Sequence, residues 1–164
     1  MKIHHKPVIS NTSPLIGLWG LNLFALFRDL YIEVWIPREE EKEFLSLEET
    51  VHREALESAP WIKTIDLTDS ESVSFYNKLD SGEVHVFALA DEYDARLVII
   101  DEQKARNEAQ KIGLTHIGTV GVLLEAKKEG LIGEIKPLLI ALQENGMYLG
   151  KSIITDALRK ASET

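Results

Sequence analysis

Short apolar runs, separated by longer stretches of mixed pattern, set the rhythm of the chain. Pro7-Val8-Ile9, Ile32-Glu33-Val34-Trp35-Ile36, Trp61 to Leu67, Leu97-Val98-Ile99-Ile100 and Leu114 to Ile117 read as strands. The unbroken Leu97–Ile100 run suits a parallel strand covered on both faces. Between these runs the apolar residues fall at helical spacing. Ser13 and Pro14 suit an N-cap and a first helical position, and Leu15, Ile16, Leu18 and Trp19 follow them. Leu21 to Phe27 predicts a second helix. Pro37 opens a charged stretch over 38–58, with Phe44, Leu45, Leu47, Val51, Ala55 and Leu56 at roughly helical intervals, which predicts one broken helix or two. Asp69 caps a predicted helix to about Lys78. Glu83 to Tyr93, Glu102 to Ile112, Val120 to Glu129 and Ile135 to Asn145 predict four more. Gly113, Gly130 and Gly146 stand where helices commonly stop. A last helix is predicted from Ser152 to about Ala161.

Strands alternating with helices predict an α/β fold: a parallel sheet with helices on its faces and right-handed crossovers. The 164 residues suit one domain, 1–164, and no repeat, linker or low-complexity stretch divides them. In such sheets, ligands bind at the carboxyl ends of the strands. Glu83 opens a predicted helix and Asp101 ends a predicted strand, so the two carboxylates are candidates for one acidic, cation-binding cluster. Clustered carboxylates resist joint ionisation, so at least one should have a raised pKa.

Composition narrows the chemistry. The chain has no cysteine, which excludes disulfides and thiolate metal sites and fits a reducing, cytoplasmic setting. No apolar run approaches the ~20 residues of a membrane helix, and Met1 to Lys6 leads into a strand without a signal-peptide core. The net charge of −9 is uneven. Residues 1–94 carry eight basic and eighteen acidic side chains, and residues 95–164 carry ten and nine. A general nucleic-acid binder shows a basic face, and this chain shows none. A nucleic-acid substrate therefore needs divalent cations, an oligomer or a C-terminal basic patch to offset repulsion.

Each candidate also has a plain structural explanation. Asp80-Ser81-Gly82-Glu83 has the spacing of a capping box. Asp101 suits an N-cap and Asn11 an Asx-turn. Glu43 sits among glutamates on a charged helix and reads equally as a solvated charge. His85 stands two residues from Glu83, off its helix face, and no histidine is assigned to metal. The chain has no phosphate-binding glycine loop and no Gly-x-Ser-x-Gly elbow.

Five stretches together carry a family resemblance. Val8-Ile9-Ser10-Asn11-Thr12-Ser13-Pro14-Leu15-Ile16 resembles the first strand and turn of PIN-domain proteins, most clearly of a short PIN-like subgroup of bacterial and archaeal proteins. Ile36-Pro37 with Glu43 resembles their second motif, and Leu79-Asp80-Ser81-Gly82-Glu83 with Ala88-Leu89-Ala90 the third. Ile99-Ile100-Asp101-Glu102 with Ala105-Arg106 resembles the fourth. Gly118-Thr119-Val120-Gly121-Val122-Leu123 resembles the turn that closes the family's site. The resemblance covers about residues 7–145 and implies a PIN-like three-layer α/β/α sandwich with a mainly parallel central sheet. It also implies a divalent-metal nuclease, usually an endoribonuclease acting on RNA. Many members are toxins of toxin–antitoxin pairs, which implies an antitoxin partner, and many are homodimers.

By motif match, Glu43, Glu83 and Asp101 fall on acidic metal positions, and Thr12, Ser13 and Thr119 on supporting hydroxyl positions. The family usually has an aspartate where this chain has Asn11, which offers a side-chain oxygen to a cation but no charge. On this reading Glu83 and Asp101 are the principal ligands of Mg²⁺ or Mn²⁺. Asn11 is a neutral ligand, and Glu43 is a ligand or an acid behind them. Thr12, Ser13 and Thr119 orient water or phosphate. Arg106 either contacts the phosphate backbone or is a surface charge near Glu102. Two rival readings follow from the same residues: a catalytically weak PIN-like module that binds a protein or RNA, and a receiver-like phosphoacceptor using Asp101. The second lacks a strand-end lysine.

Overall fold

A computed structural model describes residues 6–76 and 81–164. Five strands form one parallel sheet: β1 (Val8–Ser10), β2 (Val34–Pro37), β3 (Ile62–Ile65), β4 (Leu97–Ile99) and β5 (His116–Ile117). Their order across the sheet is β3-β2-β1-β4-β5. The chain therefore builds outward from β1 to β3, then crosses back to β4 on the other side of β1. The reversal leaves a switch point between the carboxyl ends of β1 and β4, where open α/β sheets hold their ligands.

Helices cover both faces. They are α1 (Thr12–Gly20), α2 (Ala25–Tyr31), α3 (Arg38–Leu47), α4 (Glu49–Glu57), α5 (Ser81–Tyr93), α6 (Gln103–Lys111), α7 (Thr119–Lys128), α8 (Lys136–Glu144) and α9 (Lys151–Lys160). The alternating pattern predicts this parallel sheet with helices on its faces, and the arrangement is the three-layer α/β/α sandwich that the resemblance implies. Among the described residues no helix is long and apolar enough to cross a membrane.

Strand alternation sorts the core into two layers. Val8 and Ile99 face one side and pack with Leu18, Phe27, Phe44, Leu123, Leu139 and Ala157. Ile9 and Val98, paired across β1 and β4, face the other and pack with Val86, Phe87 and Leu89 of α5. On that side α6 offers only Ala105 and Ala109, so its backbone lies close to the sheet. Each large side chain removed from water in this way contributes roughly 1.5–3 kcal/mol.

Several predicted boundaries move, each for a local reason. Helix α1 begins at Thr12, ahead of Ser13 and Pro14, and Ser13 turns its hydroxyl to Asp101 instead of capping. Asn22 and Ile32 both have positive φ and break the chain on either side of α2, so α2 starts later than Leu21 and β2 starts at Val34, not Ile32. The region after Asp69 is a 3₁₀ helix over Ser70–Tyr76. There the Glu71 N–H bonds the Asp69 carboxylate, and the hydroxyls of Ser72 and Ser74 bond the carbonyls of Asp69 and Glu71. Such side chains compete with α-helical bonding. Leu79, Asp80 and the predicted helix end at Lys78 lie outside the described residues. His52 is a core residue: its ring stacks on Phe44 at 4.0 Å, and its Nδ1–H donates to the Phe44 carbonyl at 2.6 Å.

Candidate functional site

Asn11 follows β1 directly, and its N–H bonds the Ile99 carbonyl at 3.1 Å, carrying the ladder one step past the strand. Asp101 stands two residues beyond β4. The switch point between them opens into a cleft of about 710 Å³. Asn11, Thr12, Ser13, Glu43, Glu83, Asp101 and Arg106, all marked by the sequence, line it. Thr119 reaches it through Asp101.

Asp101 is the most firmly held carboxylate. Its Oδ1 accepts the Thr119 N–H at 2.7 Å, and its Oδ2 accepts the hydroxyls of Ser13 and Thr119, both at 2.8 Å. Thr119 is the first residue of α7, so Asp101 satisfies the start of that helix and not of α6, whose N-cap position is Glu102. A carboxylate there meets N–H groups that have no partner within the helix. Gly118 makes the approach possible: a Cβ there would lie 2.9 Å from Asp101 Oδ1 and 3.4 Å from the Ile100 carbonyl oxygen.

Glu83 lies buried in the first turn of α5. Glu43 is exposed on α3, and its Oε2 stands 3.0 Å from the Thr12 hydroxyl. The hydroxyls expected to orient water or phosphate are thus directed at carboxylates: Ser13 and Thr119 at Asp101, Thr12 at the glutamates of α3. Arg106 lines the cleft half-buried, and its Nε is buried with no hydrogen-bond partner.

Glu40 is the functional candidate that the sequence reading missed. It is 1% exposed. Its Oε2 accepts the Thr12 N–H at 2.7 Å and the Thr12 hydroxyl at 2.6 Å, while its Oε1 is buried without a partner. Burial raises its carboxyl to about 7, with help from the charges of Glu43 and Glu39 and against the two hydrogen bonds from Thr12. The signal was present in the spacing. Phe44, one turn on, is fully buried, so position 40 shares the inward face of α3. The opposite wall of the cleft, with Leu142, Met147, Tyr148 and Ile153, was also missed, because it comes from the docking of the α8–α9 connection.

A hard divalent cation fits this cleft by donor chemistry. The donors are carboxylates and an amide oxygen, and Asn11 Oδ1 is itself buried without a hydrogen-bond partner. Among the described residues no group of three His, Asp or Glu side chains stands close enough to hold an ion.

A family model described as a PIN domain matches residues 7–163. No curated protein matches the chain.

Proposed function

The chain belongs to the PIN-domain family, and from that premise we propose that it is a divalent-metal-dependent nuclease, an endoribonuclease acting on single-stranded RNA. One observation carries the proposal. Five carboxylates, those of Glu40, Glu43, Glu83, Asp101 and Glu102, and the unpartnered Asn11 oxygen line one cleft at the switch point of a parallel sheet. When bound there, Mg²⁺ or Mn²⁺ supplies neutralisation of phosphodiester charge and a bound water of lowered pKa.

Each residue then has a role in the proposal. Glu83 and Asp101 hold the ion, with Asn11 as a neutral oxygen donor and Glu43 at the cleft mouth. Ser13 and Thr119 fix the Asp101 carboxylate through hydrogen bonds, so its orientation is set before substrate arrives. Arg106 contributes cationic charge to the cleft and faces the scissile phosphate. The same reading makes an antitoxin protein the partner, a homodimer the assembly and the cytoplasm the location. Light scattering and co-purification test the assembly and the partner.

The main test is cleavage of an end-labelled single-stranded RNA with Mn²⁺, with EDTA, and with Asp101→Asn. Cleavage should need the metal and vanish in the variant. Metal-independent cleavage, or equal cleavage by the variant, refutes the reading. A second reading, a catalytically weak module acting through protein or RNA binding, is favoured by the neutral Asn11 and the absence of a converged ligand group among the described residues. RNA binding without cleavage at millimolar Mn²⁺ supports it.

A further inference from the structure

Glu40 and Asn11 share a feature that fold stability alone does not explain. Both are more than nine-tenths buried, both line the cleft, and each leaves one side-chain oxygen without a hydrogen-bond partner. A buried acceptor left unsatisfied is costly, and most buried polar groups avoid that state. We propose that Glu40 Oε1 and Asn11 Oδ1 are ligands of one divalent cation, so that Glu40 supplies the anionic oxygen that Asn11 lacks. The proposal rests on the metal-dependent reading above and adds a ligand that no motif marks.

Thr12 links the two positions. Its N–H and hydroxyl both meet Glu40 Oε2, at 2.7 and 2.6 Å, and Thr12 directly follows Asn11. The contacts fix one carboxylate oxygen and leave the other for a ligand. The hydroxyl also lies 3.0 Å from Glu43 Oε2. A hydroxyl has one proton to donate, so it cannot serve both glutamates at once. A cation relieves the repulsion that remains between them, as carboxylates beside a bound ion do. The rival occupant of Glu40 Oε1 is a proton, which would convert it from acceptor to donor.

Glu40→Gln separates the two occupants. Glutamine keeps an oxygen for the Thr12 donors and places N–H where the proton would be, so it mimics the protonated acid and preserves the fold. Calorimetric titration with Mn²⁺ at pH 7.5 should show at least tenfold weaker binding in Glu40→Gln. Asn11→Asp introduced on the Glu40→Gln background should restore most of that loss, because it returns one charge to the same ion. Equal affinity in parent and Glu40→Gln, or a loss that Asn11→Asp does not recover, overturns the proposal. Should Glu40→Gln fail to fold, Asn11→Asp in the parent carries the test: tighter Mn²⁺ binding supports a shared ion, and unchanged binding overturns it. A parent that binds no Mn²⁺ removes the metal-dependent reading together with this inference. A parent that binds Mn²⁺ as well as Glu40→Gln does removes the inference alone.

Discussion

At the C-terminal end of the chain, Glu163 accepts from Lys127 Nζ at 2.7 Å, from the Ile135 N–H at 2.8 Å and from the Lys136 N–H at 3.0 Å. In the cleft, Glu40 accepts from Thr12 through one oxygen and has nothing on the other. Burial works against ionisation in both. At Glu163 the ammonium and the two N–H groups at the start of α8 outweigh it and hold the carboxyl at about 2. At Glu40 burial wins and the carboxyl rises to about 7. A carboxylate partnered on both oxygens ties α7 and α8 to the C-terminal segment. A half-partnered one costs stability and keeps an oxygen available. The difference in partners, more than residue type, separates a carboxyl held ionised from one pushed toward its neutral form.

The largest expected effect is on stability against pH in metal-free protein. The Glu40 carboxyl is raised in the folded state, from an ordinary 4.5 to about 7. The folded chain therefore binds more protons than the unfolded chain between those values. Its contribution is fully present below the unfolded value and is lost as pH rises through about 7, by at most about 3 kcal/mol. Glu163 has the opposite sign: its stabilisation is present above the unfolded value and disappears as pH falls through about 2. Urea unfolding in EDTA at pH 5 and pH 8 should show lower stability at pH 8, and Glu40→Gln should flatten the difference. A parent equally stable at both values would remove the contrast.

Next in size is Asp101→Asn. The amide oxygen can keep the Thr119 N–H, and the two hydroxyls facing the other atom can rotate to accept from the amide NH₂, so the fold should survive. The charge is lost. Mn²⁺ affinity should fall at least ~100-fold, ~2.7 kcal/mol, with cleavage lost alongside. A titration that shows full affinity would move the ion site away from Asp101.

These contrasts bear on what was legible in the sequence. The strands were, because each buried run is continuous or alternates over a few residues. Asn11, Ser13, Asp101 and Thr119 were legible because each lies in a short local motif at a strand end. Their partners were not: Asp101 satisfies α7 instead of the helix it precedes, and Ser13 bonds Asp101 instead of capping α1. Cross-chain contacts of this kind leave no trace in local spacing. Glu40 stands in the run Glu39-Glu40-Glu41, where its spacing of one turn from the apolar Phe44 is the mark that separates it from its neighbours. Glu40, outside the cluster for which a raised pKa was expected, is raised chiefly by burial, with like charges a lesser cause. Tyr148 and Ile153 were hidden because their place in the cleft depends on how α8 and α9 dock.

Gly118→Ala has a smaller expected effect and isolates position from charge. The backbone at Gly118, φ −106° and ψ −179°, is open to alanine, so only space is at issue. A methyl 2.9 Å from Asp101 Oδ1 must displace the carboxylate by a few tenths of an ångström. Mn²⁺ affinity should drop about tenfold, ~1.4 kcal/mol, with all ligands still present. Unchanged affinity would show that the held position of Asp101 is immaterial to the ion.

Glu163→Gln should have the smallest effect on function, and for that reason it is the control on the comparison. The substitution removes the ion pair with Lys127 and leaves a neutral group facing the N–H groups of Ile135 and Lys136. Those donors lie at the start of α8, where negative charge is favoured, so the melting temperature should fall. Among the described residues Glu163 accepts from α7, α8 and the residue preceding α8, and none of these donors lines the cleft. The fall should therefore be the same with and without Mn²⁺, and Mn²⁺ affinity and RNA cleavage should match the parent when measured well below the melting temperature. Glu40→Gln should reverse the pattern, with metal-free stability at pH 8 held or improved and metal affinity lost. If Glu163→Gln weakened Mn²⁺ binding as much as Glu40→Gln did, the two carboxylates would be energetically coupled through α7, and the division between structural and ligand-binding charge would fail.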